Sequence, residues 1–236
     1  TIISDFSADK IKGILSPQSF KFYLNLNDKI HGLPEWTTKP DTVINVENYT
    51  LIGDFDAELI GDNKNNIFIT DLGTDIISGG GGNDKIYGGD GNDKLYGNEG
   101  EDWLYGGAGD DLIDGGTGSN TGSENDRIDF RSEKSAVTVD LQAGTATGTT
   151  IGNDTLLNIE RVIGSDYDDK LYGSKNNDSF TGELGDDLMD GKEGYDHVWY
   201  GRAEAPITVD LETGKAYGGE GKDTLISIEL VVGSNY

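Results

Sequence analysis

Through the middle of the chain one large apolar residue recurs every nine positions, and the stretches between are filled mainly by Gly, Asp and Asn. A first run comprises Phe68, Ile77, Ile86, Leu95, Leu104 and Ile113; a second comprises Leu171, Phe180, Met189 and Val198. This spacing is neither the 3.6-residue period of a helix nor the alternation of a long strand. One inward residue per nine predicts a strand of about three residues, with outward side chains on either side of the apolar one. The other six positions turn the chain. Two units of about nine residues then close one coil, and equivalent strands stack as parallel sheets on both sides of a two-layer roll.

The register holds over consecutive copies. Units start at Gly79, Gly88, Gly97 and Gly106, decay through Gly115 to Asn120, and have degenerate forerunners at Gly61 and Thr70. A second block starts at Gly164, Gly173, Gly182 and Gly191. Gly tends to hold positions 1, 2 and 4, Asp or Asn position 6, and the apolar residue position 8. These segments resemble the glycine-rich RTX nonapeptide G-G-x-G-x-D-x-U-x, a calcium-binding β-helix repeat. The resemblance implies an all-β fold, a right-handed parallel β-roll with calcium ions between its turns.

Charge explains why such a roll needs a cation. The chain has 18 Lys and Arg against 44 Asp and Glu, a net charge of −26, which excludes a polyanionic partner such as DNA or RNA. Stacked coils bring position-6 carboxylates 18 residues apart into line, Asp84 over Asp102 and Asp93 between Asp75 and Asp111, where like charges repel. A hard cation between turns relieves this, since calcium accepts six to eight oxygens at about 2.3 to 2.6 Å. Magnesium demands a tighter octahedron and keeps its waters. Cys is absent and His numbers two, so zinc lacks its donors and disulfides are excluded. Neither an EF-hand loop nor a Gly-Lys-Ser/Thr phosphate loop is present.

Carried over by resemblance, each ion takes the position-6 side chain of two successive coils together with turn carbonyls. The side-chain ligands are then Asp75, Asp84, Asp93, Asp102, Asp111, Asp169, Asp178, Asp187 and Asp196, with Asn66 and Asn120 as weaker edge ligands. The candidate carbonyls are those of Gly79, Gly81, Asn83, Gly88, Asp90, Asn92, Gly97, Glu99, Gly106, Ala108, Gly164, Asp166, Gly173, Gly182 and Leu184. Asn98 and Glu101 depart from the pattern, so the Gly97 coil is expected to bind less tightly.

A longer repeat surrounds the short one. Ala136–Ala146 matches Pro206–Ala216, and Asp154–Glu160 matches Asp223–Glu229, at offsets of 70 and 69. Asp41–Glu47 echoes the second element and Phe22–Leu26 faintly echoes the first. This divides the chain into residues 1–40, an irregular segment or the end of a preceding domain; 41–130, the first repeat block; 131–163, strand-rich linking coils; 164–200, the second block; and 201–236, further linking coils leading into a third block at Gly233. The linking coils read as spacers in which Val137, Val139 and Leu141, then Leu156, Ile159 and Val162, continue the roll in short strands.

Outward positions carry a structural reading. Tyr87 and Tyr105 should stack on one sheet face as a ladder, with Tyr96 on the other face, and Lys85 should lie over Trp103. His197 and Ser179 do not converge with a carboxylate by spacing, so no catalytic constellation is expected in this chain. No stretch of about 18 apolar residues offers a membrane span, and neither an initiator Met nor a signal peptide opens the chain, as expected for a piece of a larger polypeptide.

Scarce apolar side chains and 36 Gly give a thin core and a large ordering cost. Without calcium the chain is expected to be largely unfolded. Affinities of about 10⁻⁴ to 10⁻³ M, as in extracellular modules, would then place folding outside the cell. The resemblance implies type I secretion from a Gram-negative bacterium, with that export machinery as a partner. The first expectation for the parent protein is a large secreted toxin. The alternatives are a surface adhesin, which would bring a host-cell or surface ligand, and a secreted protease, lipase or epimerase with this chain as its noncatalytic tail.

Overall fold

Successive nonapeptides fall on opposite sides of a flattened coil, and every second one pairs with its counterpart. The structure is a computed structural model that describes residues 24–25, 29–30, 41–46, 48–50, 56–117 and 125–234. Asn120 and nearly all of segment 1–40 lie outside the described residues. Lys85–Asp90 runs parallel to Trp103–Ala108 with Ile86 opposite Leu104, and Lys94–Glu99 runs parallel to Ile76–Gly81 and to Leu112–Thr117. The register therefore advances 18 residues per coil, as the period predicts. The two sets build one sheet of 15 strands and one of nine, and the described residues contain no helix. The fold is a parallel β-roll.

The core is a single file between the sheets. All ten period-nine apolar residues, Phe68 through Ile113 and Leu171 through Val198, are 0% exposed. Each contributes about 1.5–3 kcal/mol by leaving water, which is modest for a chain this rich in glycine.

Strand length departs from the three residues expected. In the first block Ile76–Gly81, Lys85–Asp90, Lys94–Glu99, Trp103–Ala108 and Leu112–Thr117 each span six residues. Pairing there runs on through positions 1 to 3, for example Gly89 with Gly107 and Asp90 with Ala108. In the second block Lys170–Tyr172, Ser179–Thr181, Leu188–Asp190 and His197–Trp199 keep to three.

The linking coils differ more. Val137–Asp140, Thr145–Gly148 and Gly152–Leu157 form an antiparallel meander inserted in the larger sheet. Ile207–Asp210, Lys215–Gly218 and Gly221–Ile226 repeat it. Its first hairpin turns at Gly144 and Gly214, at φ 69° and 64°, where glycine carries no Cβ penalty. The meander leaves the roll intact: Leu156 stacks on Ile113 and Leu225 on Met189. Upstream, Asp41–Val46 pairs in parallel with Ala57–Gly61, so that echo is a further strand of the same roll.

Candidate metal centre

At each bend the backbone must satisfy N–H groups that no strand partner reaches, and the side chains at positions 5 and 6 do this in opposite directions. At position 6 the acceptor lies one coil ahead: Asp75 N–H donates to Asp93 Oδ1 (2.8 Å), Asp84 to Asp102 (2.7 Å) and Asp93 to Asp111 (2.9 Å). The same bond joins Asn66 to Asp84 (2.7 Å), Asp169 to Asp187 (2.8 Å) and Asp178 to Asp196 (2.8 Å). At position 5 the acceptor lies one coil behind: Asn83 N–H donates to Asn65 Oδ1 (2.9 Å), Glu101 to Asn83 (3.3 Å) and Asp110 to Asn92 (3.0 Å). The two ladders lock each bend to its neighbours.

The position-6 ladder consumes one carboxylate oxygen and leaves the other bare. Oδ2 of Asp75, Asp84, Asp93, Asp102, Asp111, Asp187 and Asp196 is buried without a hydrogen-bond partner, although such groups are ordinarily satisfied. Its surroundings are oxygen-rich. A Cβ placed on Gly79 would lie 2.1 Å from Asp84 Oδ2 and 2.8 Å from Gly97 O; on Gly88, 2.5 Å from Asp93 Oδ2 and 2.7 Å from Gly106 O; on Gly97, 2.2 Å from Asp102 Oδ2 and 2.4 Å from Gly115 O. In the second block Gly164 stands in the same relation to Asp169 and Gly182 O, and Gly191 to Asp196 and Ser227 O. The carboxylate of one unit and the first carbonyl of the next coil thus converge beside a glycine that leaves the space open.

Burial pushes these carboxyls up, to about 7 for Asp75, Asp84, Asp102 and Asp111, about 6 for Asp93 and about 8 for Asp187. Desolvation is the first cause, backbone N–H donors pull the other way, and a neighbouring carboxylate adds to the rise in most of them. Such a group is stabilised by a proton or by a cation.

The remaining sequence-derived candidates take several positions. The carbonyls of Gly79, Gly97, Gly106 and Gly182 face the open space beside Gly61, Gly79, Gly88 and Gly164. Gly88 O accepts from the Thr70 hydroxyl. Asp90 O and Ala108 O accept from Gly73 N–H (3.0 Å) and Gly91 N–H (2.7 Å), while Gly81 pairs with Glu99 in the extended strand ladder. Asn83 and Asn92 act through their side chains, as described. Gly164 and Gly173 donate N–H to Thr181 O and Asp190 O, and Asp166 and Leu184 are exposed at their bends. Asn98 takes φ 74° in a glycine position, yet Asp102 Oδ2 is as bare as its neighbours.

Position-6 residues outside the nonapeptides complete the ladder. Asp102 N–H donates to Asp126 Oδ1 (2.7 Å), Asp111 to Asp154 Oδ1 (3.1 Å), Asp187 to Asp223 Oδ1 (3.1 Å), Asp126 to Glu160 Oε2 (3.1 Å) and Asp196 to Glu229 Oε2 (2.8 Å). A glycine-based frame passes over all of them but Asp223, which Gly218, Gly219 and Gly221 precede at positions 1, 2 and 4. Their signal is shorter: an acid two residues before a buried apolar one, as in Asp126-Arg127-Ile128, Asp154-Thr155-Leu156 and Glu160-Arg161-Val162.

Among the described residues no three acidic or imidazole side chains converge, so any ion here would draw chiefly on single carboxylates and main-chain carbonyls. Oxygen-only donors of that kind suit calcium and exclude zinc. A family model for the RTX calcium-binding nonapeptide repeat matches four times, over residues 53–86, 60–95, 87–122 and 163–198. The chain carries RTX calcium-binding repeats. These form a calcium-binding repeat module of secreted proteins, and RTX repeat proteins are typically extracellular. Among the described residues no helix is long and apolar enough to cross a membrane. Comparison with curated proteins gave no match. The outward RTX side chains pair as the register requires: Tyr87 and Tyr105 stack at 4.1 Å, and Trp103 lies between Lys85 (4.7 Å) and Arg127 (4.1 Å).

Proposed function

We propose that this chain is a noncatalytic folding module that orders around calcium once its parent protein has left the cell. The observation that carries the reading is the row of buried carboxylate oxygens with no partner, those of Asp84, Asp93, Asp102 and Asp196 each beside a glycine and a main-chain carbonyl. When bound, calcium supplies the positive charge that this row lacks. Asp84, Asp93, Asp102 and Asp111, with the carbonyls of Gly97, Gly106 and Gly115, would hold it in the first block. The backbone N–H on each Oδ1 fixes the carboxylate so that Oδ2 stays aimed at the site. Metal binding and folding then become one equilibrium.

At low cytosolic calcium the chain stays loose enough for a narrow type I export conduit, and outside it folds. A secreted toxin is the parent favoured by the repeat's resemblance. Upstream immunoglobulin-like repeats would instead indicate an adhesin, and a zinc-protease or serine-hydrolase motif an enzyme. Calcium titration monitored by far-ultraviolet circular dichroism should convert coil to strand cooperatively and reverse with EDTA. Prompt, complete folding in excess chelator would overturn the reading.

A further inference from the structure

The two long repeats share several backbone bonds at their linking coils, and one exchange stands out against them. Phe130 N–H donates to Ile163 O, and Tyr200 N–H to Val232 O; Glu133 donates to Phe130 O, and Ala203 to Tyr200 O. Asp111 N–H donates to Asp154 Oδ1 and Asp187 N–H to Asp223 Oδ1, both at 3.1 Å. Thr155 and Thr224 return N–H bonds to Asp111 O and Asp187 O. Against this common frame Phe130, 3% exposed, is replaced by Tyr200, 1% exposed. The Tyr200 hydroxyl donates to Asp223 Oδ2 at 2.5 Å, whereas Asp154 Oδ2 is buried with no partner.

We infer that the step between Asp111 and Asp154 is a cation site outside the nonapeptides, and that in the second repeat Tyr200 takes the cation's place on Asp223. Asp154 is 2% exposed and Asp111 is 3% exposed, and both leave Oδ2 bare, so two buried carboxylate oxygens lack a donor at this step. At the equivalent step one of the two is already satisfied by a neutral donor, and the added phenol oxygen stands on the Oδ2 that the cation would take. A hydroxyl that donates to a carboxylate oxygen relieves its desolvation without adding charge. Burial and the carboxylates of Asp223, Asp187 and Glu220 keep the proton on Tyr200. The linking coils, alike in backbone, thus differ in metal demand by one oxygen atom.

This inference rests on the calcium reading above, and its test separates the two. Calcium per chain is counted by equilibrium dialysis with radioactive calcium at saturation, with circular dichroism confirming that each variant is folded. Phe130→Tyr and Asp154→Asn should each bind one ion fewer than the natural chain, and Tyr200→Phe one more. Glu220 replaces Ile151 and also leaves Oε2 bare, so Tyr200→Phe is counted again with Glu220→Gln. A gain that survives belongs to Asp223; one that vanishes overturns the assignment. Unchanged counts in folded Asp154→Asn or Tyr200→Phe overturn it as well, even if Phe130→Tyr does not fold. A natural chain that binds no calcium fails the broader reading instead.

Discussion

The two nonapeptide blocks share a core and a ladder but treat the bare carboxylate oxygen differently. In the first block position 2 is Gly80, Gly89 or Gly107, at φ 98–104°, or Asn98 at 74°, and the Oδ2 atoms of Asp84, Asp93, Asp102 and Asp111 stay unpartnered. In the second block two coils place serine there without positive φ. Ser165 N–H donates to Asp169 Oδ2 (2.5 Å) and its hydroxyl to Asp169 Oδ1 (2.8 Å); Ser174 N–H and hydroxyl both donate to Asp178 Oδ2 (2.6 and 3.0 Å). Where Glu183 and Lys192 return to φ 66° and 70°, the oxygens of Asp187 and Asp196 are bare again. Serine at position 2 thus satisfies Oδ2 of Asp169 and Asp178 within the turn, although Asp178 Oδ1 is buried without a partner and Asp75 Oδ2 is bare with no positive φ at Asp71. On the calcium reading proposed above, the first block should depend on the ion more than the second.

The largest effect expected from this contrast is the pH response of the metal-free chain. In the fold, burial raises Asp84, Asp102 and Asp111 to about 7, against about 3.9 in an unfolded chain. The folded state holds these protons more tightly, so the stability they contribute is complete below about pH 4 and is lost as pH rises through about 7. Each group contributes at most about 1.4 kcal/mol per pH unit across that window. In EDTA, strand content should therefore be greatest near pH 4 and collapse near pH 8. Amide protection in Lys85–Ala108 should go before that around Ser165 and Ser174, since serine donors restrain the rise at Asp178 to about 6. With calcium the dependence reverses, because protons and the ion compete for the same oxygens. Metal-free structure that grows towards pH 8 would remove the electrostatic basis of the comparison.

Single-site changes come next. Asp93→Ala strips a bare oxygen and also leaves Asp75 N–H buried without its acceptor, a cost of about 1–3 kcal/mol. Gly88→Ala sets a methyl 2.5 Å from Asp93 Oδ2 and 2.7 Å from Gly106 O. Both should raise the calcium midpoint of folding about tenfold or more. Asp140→Ala removes only an exposed acceptor for Ala143 N–H (2.9 Å) and should leave the midpoint within about threefold. Equal shifts in all three would mean that the carboxylate row has no special part in folding.

Most of the roll was legible because its period is strict. Nine residues with one apolar position fix the coil length, the sheet partners and the buried file from Phe68 to Val198. Six-residue strands were not legible, since pairing through Gly89 and Asp90 depends on a backbone conformation that composition only permits. The meander at 137–157 was hidden for a related reason: alternation such as Val137, Val139 and Leu141 predicts a strand but not the direction of its partner. At the candidate site, spacing placed the stacked acids; Asp154 has glycine only at position 4 of its unit, whereas Gly218, Gly219 and Gly221 before Asp223 carry the full glycine pattern, which the frame taken from the two main blocks did not reach. Neither Ser174 nor Tyr200 announced itself, because a hydroxyl's role depends on which lone pair it reaches.

The smallest effect tests the serine itself. Ser174→Ala keeps the backbone bond to Asp178 Oδ2 but removes the hydroxyl, which donates to that oxygen and accepts from Asn176 N–H (3.0 Å). The metal-free state should lose about 1 kcal/mol, the usual net worth of such a bond. Calcium-bound stability should fall by less, because an ion at Asp178 replaces the missing donor, so calcium dependence increases at this coil alone. Ser174→Gly goes further by giving position 2 the freedom to adopt positive φ, as in Gly80 and Gly89. If the second block then matches the first in its response to chelator, followed by amide exchange at Phe180 and Val198, the hand of position 2 sets calcium demand. If Ser174→Gly merely loosens the coil equally with and without calcium, the bare oxygens of the first block owe their state to something other than glycine.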